Sequence, residues 1–270
     1  ADPSGYVLFV IPSILVSIAI TPILLSISPT PAFETTKAMS LRELMGFSPL
    51  GCVGMFLLGG VFSAQFGMAS VYGSEAGLSV GEISTFVATI FIGGMITQYP
   101  IGWLSDRMDR RTLIVLTAAV GAVGASIGVM SNGDFTLILV AAFLMGSTSN
   151  PLYSLLLAYT NDFLEHEDMA AGSGGMIFLN GLGAVSGPLI TGWMMGVFGP
   201  SGFYMLIGVL FSMLAIYAVY RATQRPAIPV DETGSFVAMS QSAMTPVAME
   251  IAQEYAIETD LEDESEIPAD

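Results

Sequence analysis

Apolar runs of about twenty residues or more recur along most of this chain, each long enough to cross a hydrocarbon core of ~30 Å. That feature decides the solvent before anything else. In hydrocarbon every backbone N–H and C=O must find its partner inside the protein, which leaves only helices and closed barrels. The runs are many and show no period-two alternation, so the fold class is all-α: a polytopic transmembrane helix bundle. Composition agrees, with 53% apolar and 11% charged residues against the roughly 25% charged usual in soluble domains. Mean hydropathy is +0.71.

Seven spans follow in order. The first, about Tyr6 to Ile27, is interrupted by Pro12 and Pro22; within a bundle, neighbouring helices and the hydroxyls of Ser13 and Ser17 can satisfy the carbonyls that proline frees. A polar linker, 28–46, carries Lys37, Arg42 and Glu43. Ser40 and Glu43 have capping-box spacing there, which predicts a short surface helix over Ser40–Met45. A six-helix bundle over 47–221 follows, with spans at about Phe47–Tyr72, Glu82–Leu104, Thr112–Met130, Phe135–Thr160, Met169–Phe198 and Phe203–Tyr220. Residues 222–270 are low in aromatics, hold no lysine and end in an acidic cluster. They read as a mostly disordered acidic tail, with at most a short helix around Val247–Glu258.

Charge sets the orientation. The seven basic residues are Lys37, Arg42, Arg107, Arg110, Arg111, Arg221 and Arg225. All fall in the linker, in the loop after the third span, or at the start of the tail, which an odd number of crossings places on one side. The positive-inside rule makes that side cytoplasmic in a cell (inner or plasma) membrane. A net charge of −16 with so few cations argues against nucleic acid. The lone cysteine, Cys52, excludes an internal disulfide and a cysteine metal cluster. Ala1-Asp2-Pro3 lacks a methionine and a basic leader, as an internal point of a longer protein or a processed end would.

The loop Gly102–Arg111 packs two acids and three arginines between two apolar runs. Being short, it forces the third and fourth spans into an antiparallel hairpin. Gly102 permits close backbone approach, and Asp106 sits at the membrane surface. The glycine-rich start of the sixth span, residues 170–175, lies on the same side, and its exposed amides would attract Asp106. A contact of that kind can form in one conformation and break in another, as a gate requires. The plainer alternative is that the arginines fix topology and Asp106 pairs with one of them.

Gly102-x-x-x-Asp106-Arg107-x-x-Arg110-Arg111 resembles the signature loop of the major facilitator superfamily of secondary transporters, with Asp109 standing where that family usually has glycine. Gly183-x-x-x-Gly187-Pro188-x-x-x-Gly192 in the sixth span resembles the glycine–proline pattern that the family places on the fifth helix of a half. The resemblance covers about residues 5–225. It implies a transporter moving a small solute by alternating access, with Gly102, Asp106, Arg107, Arg110 and Arg111 in the cytoplasmic gate. Gly183, Gly187, Pro188 and Gly192 would serve helix packing or gating. It also implies that the first span is the last helix of an amino-terminal half, that spans two to seven are the carboxy-terminal half, and that the chain is a fragment whose partner half is missing. The alternative is a seven-helix receptor or sensor that signals through its acidic tail.

Polar residues inside spans are costly in hydrocarbon and therefore informative. Gln65, Asn150, Tyr153 and Asn180 are the candidates to face a substrate cavity, the plainer role being interhelical hydrogen bonds. Asn150-Pro151 is also a candidate for a local break with exposed carbonyls. No charged residue lies at the centre of a span. Gly77-x-Ser79-x-Gly81 matches an esterase elbow in letters, but no strand precedes it and the sole histidine, His166, is on the opposite side. Gly181-x-Gly183-x-x-x-Gly187 is one residue too long for a dinucleotide fingerprint. The expectation is no enzyme, no cofactor and no metal, with a solute and the lipid bilayer as partners.

Overall fold

A computed structural model of the chain describes residues 39–224 together with 10, 13–18, 234 and 236. Residues 1–35 form a unit of their own, in which 10 and 13–18 are helical. The rest of the first span and the tail helix foreseen at Val247–Glu258 lie outside the described residues.

Each span begins where a polar side chain can take up the first free amides. Ser40 caps α1 (Leu41–Phe47) in a complete capping box: its backbone N–H donates to Glu43 Oε2 at 2.8 Å, and its Oγ accepts from the Glu43 N–H at 3.3 Å. Ser48 caps α2 (Pro49–Phe62), with Pro49 in the first turn, where a missing N–H costs nothing. Ser79 caps α4 (Val80–Ser105) in a second box with Glu82. Asp109 and Asp134 cap α5 (Arg110–Met130) and α6 (Phe135–Asn161). α7 (His166–Phe198) and α8 (Ser201–Gln224) complete the bundle. Several boundaries shift by a few residues from the sequence reading: α1 runs through Phe47 and buries Leu44, α7 starts at His166, and α8 continues to Gln224. Among the described residues, six segments are long and apolar enough to span a membrane. The chain is a multi-pass membrane protein.

The second span is not one uniform helix. α2 passes into a π-helical turn at Ser63–Gly67 and then into α3 (Ala69–Glu75). Alternating crossings put α1, the α4–α5 loop, the α6–α7 loop and the end of α8 at one end of the bundle, here called the loop end. There Ser48 Oγ lies 3.1 Å from Thr160 Oγ1, tying the start of α2 to the end of α6. At the far end Tyr72 of α3 stacks on Phe203 of α8 with ring centroids 4.8 Å apart, and Phe86 of α4 joins them.

The proline inside α6 is tolerated because a neighbouring helix takes the carbonyl it frees. α6 runs unbroken through Asn150-Pro151. Pro151 leaves Ser147 C=O without its helical donor, and Thr97 Oγ1 of α4 donates to that oxygen at 2.7 Å. The carbonyl exposure considered for Asn150-Pro151 is therefore not found, and the irregular backbone lies in the second span instead.

α2 and α7 cross with their backbones nearly touching. A Cβ on Gly183 would sit 1.9 Å from Phe56 O, one on Gly187 1.8 Å from Ser63 Oγ, and one on Gly59 2.0 Å from Asn180 O. Small residues are what permit such a crossing, and dispersion is what holds it where water gives no hydrophobic push. Gly192 lies outside this contact, its nearest neighbour being Met68 Cε at 3.9 Å. Pro188 faces Gly67, at the end of the π turn.

Candidate functional site

Two constellations carry the polar chemistry of the bundle. The first is the loop between α4 and α5. α4 ends at Ser105, Asp106 is its C-cap, and Asp109 starts α5 by accepting from the Arg111 N–H at 3.1 Å. Asp109 also accepts from Arg111 Nε at 3.3 Å. Its presence where glycine would be usual is thereby explained: an N-cap acid completes the free amides of α5. The signal was readable, since an acid directly before a helix start is a capping residue.

Arg110 is the centre of this loop. Its side chain is 3% exposed and reaches three directions. Nε donates to Ser105 Oγ at 3.1 Å, closing the loop on the end of α4. Nη1 donates to Asp162 Oδ1 at 2.5 Å and to Ala158 O at 3.4 Å, clamping the loop to the end of α6. Nη2 donates to the carbonyl of Gly234 and lies 3.8 Å from Asp106 Oδ1. Asp162 is 4% exposed; burial pushes its carboxyl up, and the Arg110 guanidinium opposes that push. Sequence reasoning did not single out Asp162. A signal existed, because an acid at a helix C-terminus faces the negative end of the dipole and calls for a cation.

The other loop residues divide the work. Arg107 is exposed, donates to Trp103 O at 3.1 Å and lies over the Trp103 ring at 4.2 Å from its centroid. Asp106 Oδ1 accepts from the Phe236 N–H at 2.9 Å. The amide expected at residues 170–175 is thus supplied from elsewhere. The start of α7 faces other partners: Gly172 meets Leu164, and Gly175 meets Leu44 of α1. Gly102 lies under the ring of Phe236.

The second constellation lies in the interior. Gln65 sits in the π turn, 1% exposed, and neither its Oε1 nor its Nε2 has a hydrogen-bond partner among the described residues. Tyr153 of α6 is fully buried with its hydroxyl likewise unmatched, its ring centroid 6.2 Å from that of Phe62 at the start of the turn. Native interiors rarely leave such groups unmet without a reason. π turns inside helices are frequent at functional positions. The other two cavity candidates are engaged differently. Asn180 Nδ2 donates to Met55 O at 3.2 Å across the α2–α7 crossing, and the Asn150 amide packs over Gly94 of α4.

Two motif-like strings prove structural. Ser79 is the N-cap of α4, its Oγ donating to Glu82 Oε2 at 2.7 Å, so the esterase-like string is a capping box. Gly181 and Gly183 lie within α7. Among the described residues, no group of three or more His, Cys, Asp or Glu could hold a metal ion.

The sequence model of the Major Facilitator Superfamily matches residues 50–249. The chain is similar to an uncharacterised MFS-type transporter, YcaD, of Escherichia coli O7:K1 (strain IAI39 / ExPEC), 24% identical over 195 residues that are 72% of this chain and 49% of that protein. YcaD of Escherichia coli O9:H4 (strain HS) is 24% identical over 191 residues, 71% of this chain and 48% of that one. The chain thus spans about half the length of the curated relatives it matches. Among solved structures, an auto-inhibited POT-family peptide transporter superposes with a TM-score of 0.56 at 14% identity, over 73% of this chain and 39% of that one. At that identity the likeness concerns the fold.

Proposed function

The chain belongs to the major facilitator superfamily, and from that premise we propose that it forms one six-helix half of a transporter that moves a small solute by alternating access rather than catalysing a reaction. The observation that carries this reading is Gln65. A buried amide with both ends unmatched is expensive in an apolar interior, and a solute admitted to the π turn when the bundle opens supplies what it lacks. Tyr153 offers a second unmatched group close by. The relatives' greater length supports a second half. So does the poor cover of α4 and α7, the spans least buried by the rest of the bundle.

In this reading the loop end is cytoplasmic, the membrane is the cell membrane, and the Asp106–Arg110–Asp162 cluster belongs to the gate on that side. The arginine positions support the orientation.

The test is Gln65→Leu in the complete protein. Replacing an unmatched buried amide with an apolar group of similar size is neutral or stabilising for the fold. Thermal stability in detergent is therefore expected to hold or rise. Uptake, screened with labelled sugars, organic anions, peptides and drug-like compounds, is expected to fall by about five- to thirtyfold, the loss of one to two hydrogen bonds at about 1 kcal/mol each. Undiminished uptake by the variant would remove Gln65 from the solute path.

A further inference from the structure

Gly234 and Phe236 follow the end of the last span, Gln224, and lie on the loop between α4 and α5 at three adjoining points. The Gly234 carbonyl accepts from Arg110 Nη2. The Phe236 N–H donates to Asp106 Oδ1 at 2.9 Å. The Phe236 ring covers Gly102, where an added Cβ would meet its carbon atoms at 2.6 and 2.7 Å. On an extended chain, residues two apart line one face. An acceptor and a donor two residues apart, met by a cation and an acid four residues apart on the loop, make a pattern that reads peptide backbone. The aromatic ring and the bare glycine face add a contact that depends on side chains.

A second observation points the same way. A small cavity beside the contact is lined by Arg110, Asn161, Asp162, Met169 and Gly234. Asn161 Oδ1, on its wall, has no hydrogen-bond partner among the described residues. It is an acceptor awaiting a donor next to the Gly234 backbone.

We propose that Gly102, Asp106 and Arg110 form a binding site for Gly234 and Phe236 of the chain's own tail, which latch over the loop and occupy Asp106 Oδ1. The binding stands on these contacts alone. Its consequence for gating rests on the transport reading above. With Asp106 Oδ1 already accepting the Phe236 amide and lying near Arg110, a helix end from a second half competes with the segment for that oxygen. Docked, the segment holds the loop in one of its two arrangements; released, it frees the loop to switch.

Hydrogen exchange read by mass spectrometry on the 270-residue chain in lipid nanodiscs tests the site. In the unaltered chain the peptide covering 234–238 is expected to exchange at least tenfold more slowly than the same sequence as a free synthetic peptide. Phe236→Ala, which removes a half-buried ring packed on the loop and on the edge of the bundle core, is expected to remove most of that protection. Gly102→Ala is expected to do so as well, because the added methyl occupies the ring's place while favouring the helix. Exchange across α6 reports that the bundle remains folded. In the complete protein, Phe236→Ala is expected to raise uptake severalfold. If the 234–238 peptide exchanges in the unaltered chain as fast as the free peptide, the site is overturned. If the protection is there and Phe236→Ala removes it with uptake unchanged, the gating consequence is overturned. Absence of uptake by the unaltered protein counts against the transport reading, while exchange alone judges the binding.

Discussion

Arg110→Met is expected to destabilise the bundle by about 3–5 kcal/mol, because it strands the Asp162 carboxylate inside the fold. Asp162 is 4% exposed, and Arg110 meets it at 2.5 Å while also closing on Ser105 and Ala158. Removing the cation leaves a buried charge held only by a backbone hydrogen bond from Gly234. Asp162→Leu alone has the mirror effect on Arg110. The double variant Arg110→Met/Asp162→Leu is expected to recover most of the loss, since replacing both members of a buried pair with apolar groups is often close to neutral. A double-mutant cycle by thermal unfolding in detergent measures the coupling. Singles that cost under ~1 kcal/mol would mean the pair is not held as described. The pH dependence has a definite sign. Burial raises the Asp162 carboxyl above its unfolded value, so the folded state holds that proton more tightly, and stability falls as pH rises through the raised range. Arg110→Met removes the opposing cation, and its deficit is expected to shrink on acidification.

The second large effect comes from a single methyl group. Gly183→Ala places a Cβ 1.9 Å from Phe56 O and 3.1 Å from Gly60 N. Those are backbone atoms and cannot rotate aside. α2 and α7 must separate, which also stretches the 3.2 Å bond from Asn180 to Met55. Overpacking of this kind costs about 1–3 kcal/mol or more. Gly181→Ala two residues away is the matched control, because an added Cβ there meets nothing within 4 Å. Helix propensity then dominates, and that variant is expected to gain up to ~1 kcal/mol. The same chemical change on one helix thus has opposite signs, read as melting temperature and yield of monodisperse protein. Equal effects would mean that the helices do not cross there.

The membrane made most of the architecture legible. With every backbone group bound to pair internally, long apolar runs have one solution, and the six spans lie within a few residues of where the runs place them. The start of α1 was equally local, because Ser40 and Glu43 satisfy each other's amides. What escaped was long-range. Asp162 becomes significant only when α6 brings it to Arg110. The docked segment 234–236 belongs to a stretch whose composition alone predicts no contact. The π turn escaped because packing produces it: Ser63 donates back to Gly60 O at 3.0 Å with Gly187 of α7 pressed against it. Asn150 and Asn180 resembled Gln65 on the page, and only the packing separates them.

In the proposed transport cycle the Gln65 turn lines a path opened alternately to the two sides of the membrane. A cysteine at that position, Gln65→Cys in a Cys52→Ala background of the complete protein, tests it with a membrane-impermeant maleimide in right-side-out and inside-out vesicles. Labelling from both sides is expected, with the ratio shifting when the loop is altered by Phe236→Ala. Labelling from one side only, or from neither, would contradict it.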